Sequence, residues 1–289
     1  HVVTKKGKGY LPAEEDPARF HGIGKFDPVT GKKLAAKVRT FSDSFGDTMV
    51  SLAKDNPKLC AITAAMPGGT GLLGFMREYP QRLFDVGIAE EHAVSMAGGL
   101  AKQGMTPVVA LYSTFLQRAY DQLMQDVGIL HMHVVLAVDR AGLVGDDGPT
   151  HHGVFDVGFL RQIPGMRILA PASLEEQAQM LTWAIQEYDG PVAVRYPRGT
   201  EGAYTGSAWD GKATAVSHRR GRDITLITYG TLINPVLDAA ERLEKQGIQC
   251  SVLRLLELAD FSVEEILDMM PEKKNVVVIE ETAANSGVK

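Results

Sequence analysis

The chain has 289 residues, a net charge of −5, and 45% hydrophobic against 22% charged residues, as in ordinary globular proteins. The mildly acidic balance, without a basic block, argues against general nucleic-acid binding. No apolar run is long enough to cross a membrane and no signal peptide is visible, so we expect a cytoplasmic protein of about two domains.

The cysteines and the chain ends give two further expectations. Cys60 and Cys250 lie far apart in apolar, strand-like stretches, and we expect two buried, reduced thiols rather than a disulfide or a metal site. The sequence starts at His1 without an initiator Met and stops at Lys289, soon after the apolar run 276–279. We therefore expect a piece of a longer protein.

The first quarter of the chain changes from a connector to regular structure. Residues 1–37 are rich in Gly, Pro and Lys and predict an extended connector. A helical apolar face starts at Phe41, with Thr40 as a plausible N-cap. Residues 59–63 predict a buried strand, and residues 67–71 predict a turn before another helix.

A carboxylate follows the next predicted strand. Residues 84–86 predict a short buried strand, 87–89 a turn of small residues, and Glu90 the start of a helix. Ligands of open α/β sheets bind at the carboxyl ends of strands, so Glu90 is a candidate functional residue. Position alone favours the simpler alternative, in which Glu90 only complements the helix N-terminus.

Two later strands also end in polar residues. The strand 107–112 leads directly into a predicted helix at 113–122, with Ser113 or Thr114 as its cap. The strand 133–138 leads into the polar loop 139–153, which contains acidic residues, an arginine and two adjacent histidines. Such loops on a rigid sheet usually carry function, although an acidic turn with incidental histidines is the simpler alternative.

Alternation of strands and helices continues to the end of the chain. The remaining predicted elements are strand 166–170, helix 173–187, strand 192–196, strand 224–230, helix 236–246, strand 250–254, helix 263–270 and a buried strand at 276–279. Residues 204–222 show no periodicity and predict a linker. The pattern predicts two consecutive three-layer α/β domains with mostly parallel sheets.

Four stretches together carry a family resemblance. They are 84–94, 112–122, 139–153 and the Arg-Tyr-Pro-Arg-Gly segment at 195–199. In this order they resemble 1-deoxy-D-xylulose-5-phosphate synthases, which are transketolase-like enzymes that use thiamin diphosphate. The resemblance covers essentially the whole chain.

The resemblance implies a domain organisation. Residues 1–37 would be an inter-domain connector, 38–203 a pyrimidine-binding domain, 204–222 a linker and 223–289 a truncated transketolase C-terminal-like domain. The family's first domain, with its Gly-Asp-Gly and Asn motif for Mg²⁺ and diphosphate, has no counterpart here. We therefore predict no metal ligand in this chain and expect the Mg²⁺ ligands on the missing N-terminal domain.

The resemblance also implies an activity. Members of this family condense pyruvate with D-glyceraldehyde 3-phosphate, release CO₂ and form 1-deoxy-D-xylulose 5-phosphate, a precursor of isoprenoids, thiamin and pyridoxal. Thiamin diphosphate and Mg²⁺ are the implied cofactors, and a homodimer is the implied assembly.

The matching motifs imply site residues. Glu90 would act against the aminopyrimidine ring of the cofactor, while His151 and His21 are candidates for proton transfer. The other implied cofactor-binding residues are Ile88, Phe115 and Arg118. The implied substrate-binding residues are Tyr112, Ser113, Arg140, Asp147 and Arg198. We expect His92 and His152 to be structural or to support the site from behind.

Two other functions are compatible with parts of this pattern. The β-subunit of a 2-oxo acid dehydrogenase, or a split transketolase, shares the fold and the glutamate, although the stretches 112–122 and 139–153 favour the synthase. A catalytically silent dimerisation fragment is the alternative from a different class. The missing diphosphate-binding domain supports that alternative for this piece alone.

Overall fold

The computed structural model describes residues 1–17, 19–21, 23–34, 38–271 and 275–288. The chain divides into two compact units, His1–Val38 and Arg39–Lys289. None of the helices found in the described ranges is long and apolar enough to cross a membrane. Cys60 and Cys250 are both buried and free, as predicted.

The first unit folds locally around aromatic rings. Helix α1 spans Leu11–Glu15, and the rings of Tyr10, Phe20 and Phe26 pack with centroids 5.4–5.9 Å apart. An isolated bridge pairs Phe26 with Lys33. The expectation of an extended conformation is therefore wrong for this part, because the aromatic cluster folds the segment back on itself. The role of residues 1–37 as a connector stays a prediction.

The second unit alternates strands with helices. Its strands are β1 (Leu59–Thr63), β2 (Leu83–Asp85), β3 (Thr106–Tyr112), β4 (Val135–Asp139), β5 (Arg167–Leu169), β6 (Val192–Arg195), β7 (Ala215–Arg219), β8 (Ile224–Tyr229), β9 (Cys250–Leu255) and β10 (Val276–Val278). Its helices are α2 (Phe41–Asp55), α3 (Leu73–Glu78), α4 (Glu90–Lys102), α5 (Ser113–Leu116), α6 (Tyr120–Gln122), α7 (Asp156–Leu160), α8 (Leu174–Gln186), α9 (Ile233–Glu244) and α10 (Val263–Met269).

The first sheet is entirely parallel, in the order β2-β1-β3-β4-β6-β5. Its register pairs Tyr112 with Asp139 and Val138 with Arg195, so the carboxyl ends of β3, β4 and β6 lie side by side. Helix α4 packs on one face, and helices α2 and α8 pack on the other. The predicted three-layer α/β architecture is confirmed for this part of the chain.

Local signals predicted the starts of α2, α4 and α8 to within one residue. The Thr40 side chain accepts a hydrogen bond from the Asp43 N–H, and the Asp43 carboxylate accepts one from the Thr40 N–H, so α2 begins with a capping box. The Ser173 side chain accepts a hydrogen bond from the Glu176 N–H and so caps α8, without the reciprocal bond of a capping box. Helix α4 begins at Glu90, as the sequence predicts.

The predicted helix at 113–122 needs a correction. A short α5 is followed by a 3₁₀ turn, by α6 and by a π-helical segment at Leu123–Gly128. No side chain caps α5, because the Thr114 hydroxyl donates instead to the Thr150 carbonyl in the 139–153 loop. A long-range contact thus replaces the local cap.

Two strands predicted as buried lie at sheet edges. β2 has only one neighbouring strand, and its last residue, Asp85, is exposed. All three residues of β10 are exposed, although they are valines. Apolar composition predicted both strands correctly, but their burial depends on the neighbouring elements and not on composition.

The second sheet has the order β10-β8-β9-β7, in which only β7 runs antiparallel to its neighbour. β7 lies inside residues 204–222, so the assignment of that whole stretch to a linker is wrong in its second half. A bulge between Ser217 and Arg219 interrupts the pairing with β9. Such a bulge breaks the two-residue alternation that would otherwise mark a strand.

A buried ion pair joins the second sheet to helix α8, which packs on the first sheet. Arg254 on β9 donates to both carboxylate oxygens of Glu176 on α8, at 2.6 and 2.8 Å, and both side chains are fully buried. The same carboxylate accepts hydrogen bonds from the backbone N–H groups of Ala172 and Ala208. Arg254 Nε also lies 3.0 Å from His218 Nε2, and burial, with help from Arg254, lowers the pKa of His218 to about 4.

Replacing Glu176 by Gln tests this ion pair. The amide leaves the Arg254 charge buried without a counter-ion, and we expect the free energy of unfolding to fall by about 3 kcal/mol. Urea unfolding followed by circular dichroism measures the change. The control is Glu175→Gln on the exposed side of the same turn, which should cost no more than about 0.5 kcal/mol. Equal losses in both variants would contradict the stabilising role.

Candidate active site

A buried carboxylate lies where β2 leads into α4. The Glu90 side chain occupies the first turn of α4 and is 2% exposed. Arg118 Nη1 donates to Glu90 Oε1 over 2.7 Å, and the arginine side chain is itself half-exposed. The paired arginine offsets the cost of burying the carboxylate, and the functional role of Glu90 stays a prediction.

Aromatic rings connect Glu90 to the 139–153 loop. The Arg118 guanidinium carbon lies 5.1 Å from the centroid of the Phe115 ring. Phe115 stacks on Tyr112 with centroids 5.7 Å apart and meets the His151 ring edge-to-face at 5.5 Å. Phe115 is only partly buried, so this arrangement keeps a positioned aromatic ring at the protein surface beside the carboxylate.

Arg140 follows β4 in a left-handed backbone conformation, with φ of +60°. Its Nη1 donates to Ser42 Oγ at 3.0 Å and to the Gly69 carbonyl at 2.8 Å, and its guanidinium lies over the Tyr112 ring. Ser42 also donates to Asp139 over 2.7 Å. Three separate segments of the chain therefore fix one guanidinium group.

The 67–71 turn has a part in this arrangement. A side chain at Gly69 would overlap the Tyr112 hydroxyl, so the glycine lets the two segments approach closely. The sequence predicted this turn only as a connection between elements, and it gave no indication of Ser42 or Gly69. Neither residue type carries a local signal for this contact.

One carboxylate lies between two arginines. Asp147 Oδ2 is 3.2 Å from Arg198 Nε and 3.8 Å from Arg140 Nε. Arg198 also approaches the Val144 carbonyl, at 3.3 Å. The fork of Arg140 has a buried Nε without a hydrogen bond among the described residues. The cluster therefore offers donors to an anion, which would compete with Asp147 for them.

Burial raises the pKa of two neighbouring groups. It raises the pKa of the fully buried Asp139 carboxyl, while Arg140 and the hydrogen bond from Ser42 act in the opposite direction. It also raises the pKa of the Tyr112 phenol, with Arg140 opposing. Tyr112 is therefore a protonated hydroxyl donor at neutral pH.

Ser113 lies beneath the loop rather than at the surface. Its side chain is 1% exposed and its hydroxyl has no hydrogen-bond partner in the described part of the chain. A side chain at Gly153 would overlap both Ser113 and the Arg140 carbonyl, so the loop backbone packs directly on Ser113. The predicted substrate-binding role of Ser113 stays a prediction.

The remaining predicted residues lie in different surroundings. Ile88 is 79% exposed, two residues before Glu90. His151 contacts Thr150 through Nδ1 at 3.1 Å, and His152 Nδ1 accepts from the Val144 N–H within the loop, as suits a structural role. His21 is exposed and belongs to the separate unit of residues 1–38.

No group of three metal-ligating side chains occurs among the residues the structure describes.

The chain matches two families in succession. Residues 37–201 match the family "Transketolase, pyrimidine binding domain", and residues 212–289 match "Transketolase, C-terminal domain". The chain belongs to the transketolase family. The family resemblance seen in the sequence is confirmed.

Curated proteins with similar sequences carry the name of one enzyme. This chain is 47% identical to 1-deoxy-D-xylulose-5-phosphate synthase 1 of Geobacter sulfurreducens. The match covers 99% of this chain and 46% of that protein. Over 88% of this chain it is 52% identical to 1-deoxy-D-xylulose-5-phosphate synthase of Desulforudis audaxviator, covering 40% of it. The chain thus spans about half the length of the curated relatives it matches.

A solved structure supports the fold. The structure titled "Split gene transketolase, inactive beta4 tetramer" superposes with a TM-score of 0.74 and covers 87% of this chain and 83% of that one. At 24% identity, this likeness bears on the fold alone.

Replacing Gly153 by Ala tests the close packing under the loop. The added methyl group would overlap the Ser113 side chain and the Arg140 carbonyl, and we expect unfolding to become easier by about 1–3 kcal/mol. The control is Gly99→Ala in α4, where the methyl group meets open space and should stabilise the helix by up to about 1 kcal/mol. Urea unfolding compares the two, and an unchanged midpoint for Gly153→Ala would contradict the packing.

Proposed function

We propose that this protein is a thiamin-diphosphate-dependent transferase. It would condense pyruvate with D-glyceraldehyde 3-phosphate, release CO₂ and form 1-deoxy-D-xylulose 5-phosphate. The observation that carries the proposal is the buried Glu90 carboxylate, held by Arg118 beside the Phe115 ring. Curated relatives named for this synthase activity support it.

The residues around Glu90 suit a flat nitrogen heterocycle. Phe115 offers a ring face for stacking, Ile88 an exposed apolar side chain, and Arg118 a cation at the edge. A buried carboxylate favours a ring nitrogen that can share its proton. We therefore assign these four residues to the aminopyrimidine part of thiamin diphosphate. When bound, this cofactor supplies the electron sink for decarboxylation.

Glu90 would hold a proton at the pyrimidine ring nitrogen. Arg118 fixes one carboxylate oxygen, and burial keeps bulk water from competing for the group. The diphosphate and its Mg²⁺ would be bound by protein segments outside this chain. A homodimer and a cytoplasmic location belong to the same proposal.

The arginine cluster would bind the phosphate of the acceptor aldehyde. Arg140 and Arg198 present planar guanidinium groups on either side of Asp147, and such groups bind phosphate through paired hydrogen bonds. Tyr112 adds a protonated hydroxyl. His151, in contact with Phe115, is our first candidate for proton transfer, and His21 remains the second.

A subunit of a split transketolase-type enzyme is the second candidate. The similar solved structure bears that title, and the match covers 83% of its chain. The identity of 47–52% to synthases favours the first proposal. Acceptor specificity separates the two, since a transketolase would transfer a two-carbon unit between sugar phosphates rather than use pyruvate.

Replacing Glu90 by Gln tests the central role. The amide cannot hold an acidic proton, so we expect kcat for synthase product to fall at least about 100-fold while the fold is retained. The assay measures 1-deoxy-D-xylulose 5-phosphate formed by the full-length protein with thiamin diphosphate and Mg²⁺. Glu91→Gln, at the exposed next position, is the matched control and should keep full turnover. Near-normal turnover in Glu90→Gln would contradict the role assigned to Glu90.

Replacing Arg198 by Ala tests the phosphate site. Loss of a charge-assisted pair should raise KM for D-glyceraldehyde 3-phosphate by about 10–100-fold and leave KM for pyruvate nearly unchanged. Steady-state kinetics with each substrate varied in turn makes the measurement, and exposed Arg77→Ala in α3 is the control. If only pyruvate KM changed, the phosphate role would be wrong.

A further inference from the structure

The 139–153 loop is bonded to the segment that follows β10. The Leu143 N–H donates to Glu281 Oε2 over 3.1 Å. Gly142 has φ of +83°, and a side chain there would overlap the same carboxylate oxygen. The carboxylate therefore lies directly on the loop backbone, and the neighbouring glycine makes room for it.

Other contacts hold the same segment, residues 280–288, against the end of the loop and the helix after it. The Ala283 N–H donates to the Val154 carbonyl at 2.9 Å, and Arg161 Nη1 donates to the Gly287 carbonyl at 3.0 Å. Glu280 braces the segment internally by accepting from the Val288 N–H at 2.8 Å. The segment thus bridges the second sheet to both ends of the loop region.

The loop backbone is permissive, although Gly142 and Gly153 exchange two backbone hydrogen bonds of 2.8 Å that tie its two ends together. Glycines at 142, 145 and 148 all have positive φ, and glycine-rich backbone loses more conformational freedom on ordering than other sequences do. Arg140, at the start of the loop, is fixed by Ser42 in α2 and by the Gly69 carbonyl in the 67–71 turn. Leu143, three residues further on, is fixed by Glu281 in the segment that follows β10.

We propose that Glu281 is a positioning residue that orders the 139–153 loop so that Arg140 and Asp147 take the geometry needed for a phosphorylated acceptor. The role in acceptor binding rests on the proposed function, whereas the ordering of the loop does not. Glu281 touches neither substrate nor cofactor in this account. The C-terminal-like domain therefore contributes to acceptor binding through the loop backbone.

The test uses Glu281→Ala and Glu281→Gln in the full-length protein. In the Ala variant we expect faster amide hydrogen exchange at residues 142–144 and an increase of about tenfold in KM for D-glyceraldehyde 3-phosphate, with KM for pyruvate unchanged. The Gln variant keeps an oxygen that accepts from Leu143 N–H, so it should restore most of both values. Exposed Glu241→Ala in α9 is the matched control and should change neither.

A second route avoids deleting the carboxylate. Gly142→Ala strains the backbone at φ of +83° and pushes the carboxylate away, and it should also speed exchange at residues 142–144. Combined with Glu281→Ala it should lose no more than Gly142→Ala alone, because both changes break one contact. Independent, additive losses would overturn the proposal.

The outcomes separate this proposal from the proposed function. Unchanged loop exchange in Glu281→Ala, or equal impairment of the Ala and Gln variants, would overturn the positioning role. Failure of the wild-type protein to use D-glyceraldehyde 3-phosphate would overturn the proposed function, while faster loop exchange in Glu281→Ala would still support the ordering role.

Discussion

Parallel pairing in the first sheet decides where most of the candidate site lies. The register that places Tyr112 beside Asp139, and Val138 beside Arg195, brings three strand ends to one edge. The segments after these ends supply Phe115, the 139–153 loop and Arg198. Residues far apart in the sequence therefore meet because their strands share a direction and a register.

The charges at this edge are held by oppositely charged partners. Glu90 is buried yet bonded to Arg118, and Asp147 is shared by Arg140 and Arg198. A buried charge without a partner would be costly, whereas a paired one keeps a fixed direction. In the proposed function, the same contacts hold an acid near an aromatic ring and place two guanidinium groups where an anion would bind.

The sequence predicts most of what local chemistry determines. Thr40 caps α2 as expected, the helix predicted from Ser173 begins at the next residue, and Glu90 opens α4, since these signals lie within one turn of the residue concerned. It could not predict Ser42, Gly69 or Glu281, whose partners lie 98, 71 and 138 residues away. The exposure of β10 was missed for the same reason, because apolar residues alone do not reveal what covers them.

The most direct measurement is product formation from pyruvate and D-glyceraldehyde 3-phosphate in the presence of thiamin diphosphate and Mg²⁺. It would be made with this chain alone and after adding the segment that matches the first half of the curated relatives. The account predicts 1-deoxy-D-xylulose 5-phosphate only from the mixture. No product from a mixture that demonstrably binds thiamin diphosphate would contradict the synthase proposal, and product from this chain alone would contradict the location proposed for the diphosphate site.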